Sequence, residues 1–158
     1  MKIIILGMDN TGKSTLTEQL SNKLNMLVWT SEGPNLSKKE MENLIKMKLT
    51  TNRDYIFERF SFFDELVYGK ILRNKSKFKF TDNIYKLIKE SNPVIIYCRP
   101  PRQIIKNWQQ REQMTGVIEK ADELIKRFDK VIKIAGKQLK IIKYDYTKET
   151  VEDVISKI

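Results

Sequence analysis

The chain opens with the stretch Lys2-Ile3-Ile4-Ile5-Leu6-Gly7-Met8-Asp9-Asn10-Thr11-Gly12-Lys13-Ser14-Thr15. Its first part is an apolar, β-branched run, and its second part has the pattern G-x-x-x-x-G-K-S. In this pattern, glycines let successive backbone N–H groups point at phosphate oxygens, the lysine reaches the terminal phosphates and the serine hydroxyl is placed to ligate magnesium. A helical pattern follows at Leu16, Leu20 and Leu24, and the start of a helix itself favours anions. The stretch therefore predicts a strand, a phosphate-binding loop and a helix, in that order.

The predicted loop supplies a set of candidate nucleotide-binding residues. They are Gly7, Asn10, Thr11, Gly12, Lys13, Ser14 and Thr15. Lys13 is also a candidate catalytic residue, because it would neutralise charge on the donor phosphates. Ser14 is also a candidate magnesium ligand. The cofactors predicted from this loop are ATP and Mg2+.

Composition limits what surrounds the loop. With 158 residues and 41% hydrophobic content, we expect one domain over residues 1–158. No stretch approaches the roughly 20 apolar residues that span a membrane, and no signal-like segment precedes the first strand, so we expect a cytoplasmic protein. The sequence has one cysteine and no histidine, which excludes internal disulfides and histidine general bases. The chemistry must come from carboxylates, arginine, lysine and a divalent ion.

The net charge of +10 indicates anionic partners, either nucleic acid or nucleotides with several phosphates. Lysine and arginine are scattered along the chain, with modest concentrations at 70–79 and 126–143. These stretches are typical of solvated helix faces, and no nucleic-acid recognition motif accompanies them. We therefore expect small-molecule nucleotide partners and no stable nucleic-acid partner.

Strand and helix patterns alternate along the chain. This order predicts a three-layer α/β/α fold of the P-loop NTPase type, with a mostly parallel five-stranded sheet. Ser37 followed by Glu40 predicts a capped helix start. The predicted strands are 2–6, 26–29, 54–57, 94–97 and 139–144, and the later helices are 37–49, 62–72, 81–90, a helix starting at 100–101, 122–134 and 149–158.

Ligands of open α/β sheets bind beyond the carboxyl ends of the strands. Charged residues follow four of the predicted strands at this point. They are Asp9, Glu32, the pair Glu58-Arg59, and Arg99. We expect them to converge on one edge of the sheet.

At these positions the sequence resembles the thymidylate kinases. Their phosphate loop has an acidic residue at the position of Asp9, which contacts the 3′-hydroxyl of the deoxyribose. The segment Glu58-Arg59-Phe60-Ser61-Phe62-Phe63-Asp64-Glu65-Leu66-Val67-Tyr68-Gly69 is similar to their acidic-Arg motif, in the shortened form of phage-type deoxynucleoside monophosphate kinases. Tyr97-Cys98-Arg99-Pro100-Pro101 and Gln113-Met114-Thr115-Gly116-Val117 also look like segments of that short group. The resemblance extends over the whole chain, but only the phosphate loop is highly specific.

The resemblance implies transfer of the γ-phosphoryl group of ATP to a deoxynucleoside 5′-monophosphate, with dTMP as the expected acceptor, in dNTP synthesis. It implies that Arg59 holds the acceptor phosphate, where a planar guanidinium gives bidentate geometry. Glu58 would orient Arg59 or hold a magnesium-bound water. If the protein is phage-encoded, its compartment is the cytoplasm of the host cell.

The sequence departs from some thymidylate kinases at Asn10, where those enzymes place a catalytic arginine. Other members bring the arginine from a mobile lid, and the polar, basic stretch 102–116 is correctly ordered to be that lid. Arg111 is the candidate transition-state arginine. Arg102 and Lys106 are its competitors.

The acceptor base is less clearly encoded. Several aromatic side chains provide stacking surfaces, of which Phe63 and Tyr68 are the best placed, although aromatic residues at helical spacing are more often core. Gln113 is the candidate reader of a base edge, because an amide offers a donor and an acceptor. The pattern distinguishes no particular base.

Two other functions remain open. A deoxynucleoside kinase would use Glu32 as a general base, since a nucleoside hydroxyl must lose a proton. A nucleic-acid-binding NTPase or polynucleotide 5′-kinase would suit the basic charge, but 158 residues leave little room for an extra binding element. The oligomeric state is also open: a homodimer would use the helical residues Phe62, Phe63, Leu66 and Leu72, and the same residues also fit a core.

Overall fold

The computed structural model describes residues 1–30, 33–108 and 113–158. Five strands form one sheet in the order β2-β3-β1-β4-β5, and every neighbouring pair is parallel. The strands are β1 Lys2–Leu6, β2 Leu27–Thr30, β3 Tyr55–Glu58, β4 Val94–Cys98 and β5 Ile141–Tyr144. The predicted three-layer fold is confirmed, with a sheet that is parallel throughout.

Helices connect the strands and cover both faces of the sheet. They are α1 Lys13–Leu24, α2 Lys38–Thr50, α3 Ser61–Asp64, α4 Lys70–Leu72, α5 Asn83–Ser91, α6 Arg102–Ile105, α7 Ala121–Ala135 and α8 Val151–Ile155. The predicted capped start at Ser37 is confirmed by reciprocal bonds between Ser37 and Glu40. The predicted helix 62–72 is interrupted by a π-helical segment, Glu65–Gly69, which joins α3 to α4. None of the described helices is long and apolar enough to cross a bilayer.

The strands bury side chains on both faces because helices cover both sides of a parallel sheet. Ile4 and Leu6 pack into the core beneath α2, α5 and α7, whereas Ile3 and Ile5 pack into the core beneath α1 and α8.

The side chains considered for a dimer interface belong to the first of these cores. Phe62 and Phe63 are 0% exposed, Leu66 is 3% exposed, and Leu72 packs against the same cluster. The structure therefore confirms the second of the two roles considered for these residues, that of core side chains. The homodimer stays a prediction.

The sheet topology brings chemical groups to the carboxyl edge around β1. β3 lies on one side of β1 and β4 on the other. The Arg59 N–H donates to the Ile5 carbonyl at 2.9 Å, which extends the β1–β3 pairing to the end of the strands. The phosphate loop and the Glu58-Arg59 pair are therefore held side by side.

Candidate active site

The backbone of the phosphate loop depends on two glycines. Gly7 has a φ of +147°, and a Cβ at this position would lie 2.6 Å from the Cys98 carbonyl oxygen. Gly12 has a φ of +81°, and a Cβ there would lie 2.8 Å from the Tyr146 ring. Side chains are strained at positive φ and clash at such distances. The loop conformation that aims N–H groups at phosphates therefore requires glycine at both ends.

Lys13 begins α1 and lies inside the loop. Its ammonium group donates to the Met8 carbonyl and lies 3.8 Å from Asp9 Oδ1, and the side chain is 5% exposed. Burial, and after it the nearby Arg59, lower the pKa of Lys13 to about 8 against the opposing effect of Asp9. The loop thus holds a desolvated cation whose charge would be stabilised by a bound polyphosphate.

Ser14 and Glu58, the two predicted metal ligands, lie in contact. The Ser14 hydroxyl donates to Glu58 Oε1 at 2.6 Å. One hydroxyl and one carboxylate are the sparse oxygen set that Mg2+ uses when substrate phosphates and water complete its octahedron. Across the described ranges, no cluster of three or more acidic, cysteine or histidine side chains offers a denser metal site.

Arg59 lies beside the loop and is paired with Asp9, its Nη2 donating to Asp9 Oδ1. Its guanidinium carbon is 5.9 Å from the centre of the Tyr68 ring. Burial works against the charge of Arg59, but Asp64 and Asp9 outweigh this effect and raise its pKa above the ordinary value. Burial raises the pKa of Asp64 to about 6 although Arg59 and Lys13 both favour its ionised form. These residues form one coupled cluster of charges.

A cavity of about 260 Å³ opens beside Arg59. Of the predicted acceptor residues, Asp9, Arg59 and Tyr68 line it. The other lining residues were not predicted: Gly33, Pro34, Met41, Ser61, Asp64, Glu65, Arg73 and Met114. Charged side chains and side chains of methionine, tyrosine and proline therefore share the lining of one cavity.

Phe63 does not contribute to this cavity. Its ring is 0% exposed and packs against Phe60 and Phe62, with ring centres 6.3 Å and 5.3 Å away. Phe63 therefore has the core position that its helical spacing also allowed. Core neighbours enclose the whole ring, whereas a side chain on a cavity wall keeps part of its surface exposed.

Glu65 and Arg73 form a second charged group on the cavity wall. The Glu65 side chain is 3% exposed, and its carboxylate accepts from Arg73 Nη2 and, at 3.2 Å, from the backbone N–H of Lys77. The Lys77 ammonium group lies 3.8 Å from the same carboxylate. Glu65 is therefore a fully satisfied buried charge that orients the guanidinium of Arg73, which is 37% exposed.

Gln113 is not among the residues that line this cavity, but it is the sequence neighbour of one of them. Its Oε1 is buried, and in the part of the chain that the structure describes it accepts no hydrogen bond. Met114, the next residue, lines the cavity. A buried amide oxygen without a donor is costly, so this position is suited to a ligand that supplies one.

The remaining predicted residues are distributed differently. Arg99 turns away from the cavity and pairs with Asp129 at 3.0 Å, so only Asp9, Glu58 and Arg59 are seen to converge as predicted. Arg102 and Lys106 lie on and just after α6 and both bind Asp122. Arg111 and Glu32 lie outside the described residues.

The sequence offered partial signals for the residues that were missed. Glu65 is a charge directly before the apolar pair Leu66-Val67, which indicates a specific partner. The sequence does not identify Arg73 as this partner, because Arg73 is eight residues away and the intervening π-helical segment changes the helical register.

The arrangement is that of a three-layer α/β/α P-loop fold, and solved structures share it. The YorR protein from Bacillus subtilis, crystallised in complex with phosphorylated GDP, matches 99% of this chain and 92% of its own with a TM-score of 0.78 and 18% identity. Deoxyadenosine kinase from M. mycoides, with the products dCMP and dCDP bound, covers 99% and 97% with a TM-score of 0.68 and 18% identity. Thymidylate kinase from Ehrlichia chaffeensis covers 99% and 97% with a TM-score of 0.60 and 13% identity.

At these identities the likeness establishes the fold alone. No protein-family model matches the chain, and no curated protein sequence matches it significantly. The function must therefore be argued from the site.

Proposed function

We propose that the protein transfers the γ-phosphoryl group of ATP to the 5′-phosphate of a deoxynucleoside monophosphate, with dTMP as the leading acceptor. The observation that carries this proposal is a carboxylate shared by two cationic side chains, each of which would bind a phosphate. Lys13, in the phosphate loop, and Arg59, at the cavity, both lie against the same carboxylate, Asp9. A donor phosphate on Lys13 and an acceptor phosphate on Arg59 would be neighbours.

On the donor side, the loop N–H groups and Lys13 would hold the phosphates of ATP. Ser14 and Glu58 fit Mg2+, Ser14 as a direct ligand and Glu58 directly or through water. The bound ion would neutralise charge on the transferring phosphoryl group. Lys13 would also neutralise charge on this group.

On the acceptor side, Arg59 would exchange Asp9 for the phosphate of the nucleotide. A phosphate accepts two parallel N–H bonds from one guanidinium, so it competes well with a single carboxylate oxygen. Asp9 would then be released toward the deoxyribose, whose 3′-hydroxyl is the contact that the resemblance implies. The acceptor phosphate needs no general base, because it is already ionised near neutral pH.

The base would lie in the same cavity, whose lining includes Met41, Tyr68 and Met114. The guanidinium of Arg73, on the cavity wall, offers only donors, and Gln113, next in sequence to Met114, would offer its Oε1 as an acceptor. Thymine and guanine present a carbonyl oxygen beside a ring N–H, which complements this pair, whereas adenine and cytosine present an amino group beside a bare nitrogen. This chemistry supports dTMP and adds dGMP as a second acceptor.

We also propose that residues 102–116 act as a lid over the donor phosphates, with Arg111 as the transition-state arginine. The described part of this segment includes the cations Arg102 and Lys106, which are 53% and 42% exposed. Both are exposed cations that share one carboxylate, Asp122, so an anion could bind beside them.

The test is an ADP-release assay with ATP and Mg2+ that offers four deoxynucleoside monophosphates, the four deoxynucleosides and a 5′-hydroxyl oligonucleotide in parallel. Turnover with dTMP or dGMP supports the proposal. Turnover with nucleosides alone, abolished by Glu32→Gln, would replace it with a nucleoside kinase. Turnover with the oligonucleotide alone would replace it with a polynucleotide 5′-kinase.

Arg59→Lys sharpens this test. We expect the KM for the acceptor to rise about 100-fold, because lysine cannot make the bidentate contact, while the Kd for ATP changes little. Arg53→Lys, an exposed change just before β3, is the matched control and should leave both values unchanged. A rise in the Kd for ATP equal to the rise in acceptor KM would contradict the assignment of Arg59.

A further inference from the structure

Asn10 connects the phosphate loop to α6. Its Nδ2 donates to the carbonyl oxygens of Ile104 and Asn107, each at 2.8 Å. The Ile104 carbonyl, in the last turn of α6, also accepts the Asn107 N–H at 3.2 Å, and Asn107 itself lies two residues past the end of the helix. The Asn10 amide therefore binds the C-terminal end of α6 and the residues that follow it. The two segments are 94 and 97 residues apart in sequence. This contact therefore fixes tertiary structure and not only local structure.

Both partners in this contact are held in place. Asn10 has a φ of 63°, a left-handed conformation that asparagine tolerates better than most residues. On the other side, Ile105 is 1% exposed in the core, and Arg102 and Lys106 bind Asp122 on α7. Helix α6 is thus a short bridge between α7 and the phosphate loop.

Arg102 and Lys106 give this bridge a positive charge, which the phosphate loop lacks at position 10. Arg102 and Lys106 share a single carboxylate, Asp122, so the cluster keeps one formal positive charge. Asparagine contributes no charge of its own. Its two N–H groups instead anchor the backbone of the helix on which the cations lie.

We propose that Asn10 is a positioning residue, which tethers α6 to the phosphate loop and so holds Arg102 and Lys106 at the donor-phosphate end of the site. This inference rests on the proposed kinase function. In physical terms, two hydrogen bonds from a neutral side chain would keep positive charge next to the loop. Disruption of the tether should weaken stabilisation of the transferring phosphoryl group and leave acceptor binding intact.

Asn10→Gly separates the tether from the backbone conformation, because glycine adopts positive φ freely but has no amide. Asn92→Gly is the matched control. Asn92 is exposed, has a φ of 45°, and lies just before β4, at the opposite end of that strand from the site. Both variants exchange a left-handed asparagine for glycine, and only one removes the bonds to α6.

The experiment compares the wild type and both variants by steady-state kinetics with ATP and dTMP or dGMP, thermal unfolding, and hydrogen exchange of the Lys106 and Asn107 amides. In Asn10→Gly we expect kcat to fall and these amides to exchange faster, each by about 5- to 30-fold, the worth of one or two hydrogen bonds. The KM for the acceptor should stay within about twofold, because the Asp9–Arg59 pair does not involve the Asn10 amide. Asn92→Gly should match the wild type in all of these values.

Two results would overturn the proposal: wild-type exchange and kcat in Asn10→Gly, or equal losses in both variants. Rescue by Asn10→Gln of the exchange rate without kcat would also overturn it, because a restored tether should restore the reaction. If the wild type phosphorylates no monophosphate, the proposed function fails. The exchange comparison still decides whether the tether exists.

Discussion

The phosphate loop and the acceptor cavity lie side by side, but the chain builds them in different ways. The loop is one continuous stretch of nine residues, 7–15, and its geometry comes from the backbone. A Cβ at Gly7 or Gly12 would clash with neighbouring atoms, so the backbone conformation requires glycine there. The cavity is assembled from side chains that several separate segments contribute, among them Pro34, Met41 and Met114. Local sequence therefore dictates the donor site, whereas only the tertiary fold creates the acceptor site.

The two regions also differ in how they hold charge. In the loop, Lys13 is buried with a carbonyl and a single nearby carboxylate. In the cavity, carboxylates and guanidinium groups occur as pairs, Asp9 with Arg59 and Glu65 with Arg73. The loop thus supplies one cation of its own to the donor site, whereas the acceptor site would exchange one partner of an ion pair for a ligand.

The strongest way to break this comparison is Lys13→Ala. We expect kcat/KM for ATP to fall about 100- to 1,000-fold, because the variant loses the cation that stabilises the transferring charge. Binding of dTMP, measured by calorimetry without ATP, should change little. Thermal unfolding checks that the variant folds.

A loss of dTMP affinity as large as the loss for ATP would show that the two sites are not separable. The charges around Asp9 would then act as one unit, and the division between loop and cavity would be wrong.

Arg73→Gln sharpens the description of the cavity. We expect kcat/KM for dTMP and dGMP to fall by about tenfold or more, because a good contact between a guanidinium and a carbonyl-bearing base edge has this worth. The preference over dAMP and dCMP should shrink, and the KM for ATP should remain unchanged. Steady-state kinetics with the four acceptors measure all of these values.

Lys70→Gln is the control for this variant, since Lys70 is an exposed cation three residues away. An equal loss for all four acceptors would assign Arg73 a structural role beside Glu65 and would remove it from base recognition.

The smallest expected effect concerns pH. The pKa of Lys13 is about 8 in the free protein, and bound phosphates must raise it because they favour the ammonium form. Protonated Lys13 is therefore required for tight binding, and the Kd for ATP should increase as the pH rises above 8. From pH 7 to pH 8.5 the increase should be about fourfold.

Calorimetry in buffers of different ionisation enthalpy measures the accompanying proton uptake at pH 8.5. A Kd for ATP that stays constant up to pH 9 would show that Lys13 keeps its ordinary pKa. The loop would then not be the desolvated site described above.

The sequence predicted the fold well where local rules decide it. The β-branched run before the loop, the loop itself and the Ser37–Glu40 capping box each have short-range causes. The parallel order followed from alternation of strands and helices.

Prediction was weaker where packing chooses between equivalent residues. Phe63 and Tyr68 had equal claims as base contacts, and only the structure shows that one ring is enclosed by aromatic neighbours while the other lines the cavity. Arg99 has the same sequence signature as Arg59. It faces elsewhere because Asp129, thirty residues later, binds it.

Cys98 is the last residue of β4 and is 0% exposed. Its carbonyl oxygen is the atom that a Cβ at Gly7 would meet. Burial raises the pKa of its thiol to about 12, so the reactive thiolate is scarce at neutral pH. Because it is the chain's one cysteine, thiol reagents would label this protein at a single position, and only when the sheet opens. The rate at which Cys98 is labelled therefore reports how often the protein unfolds, and a nucleotide that binds only the native state would slow the labelling.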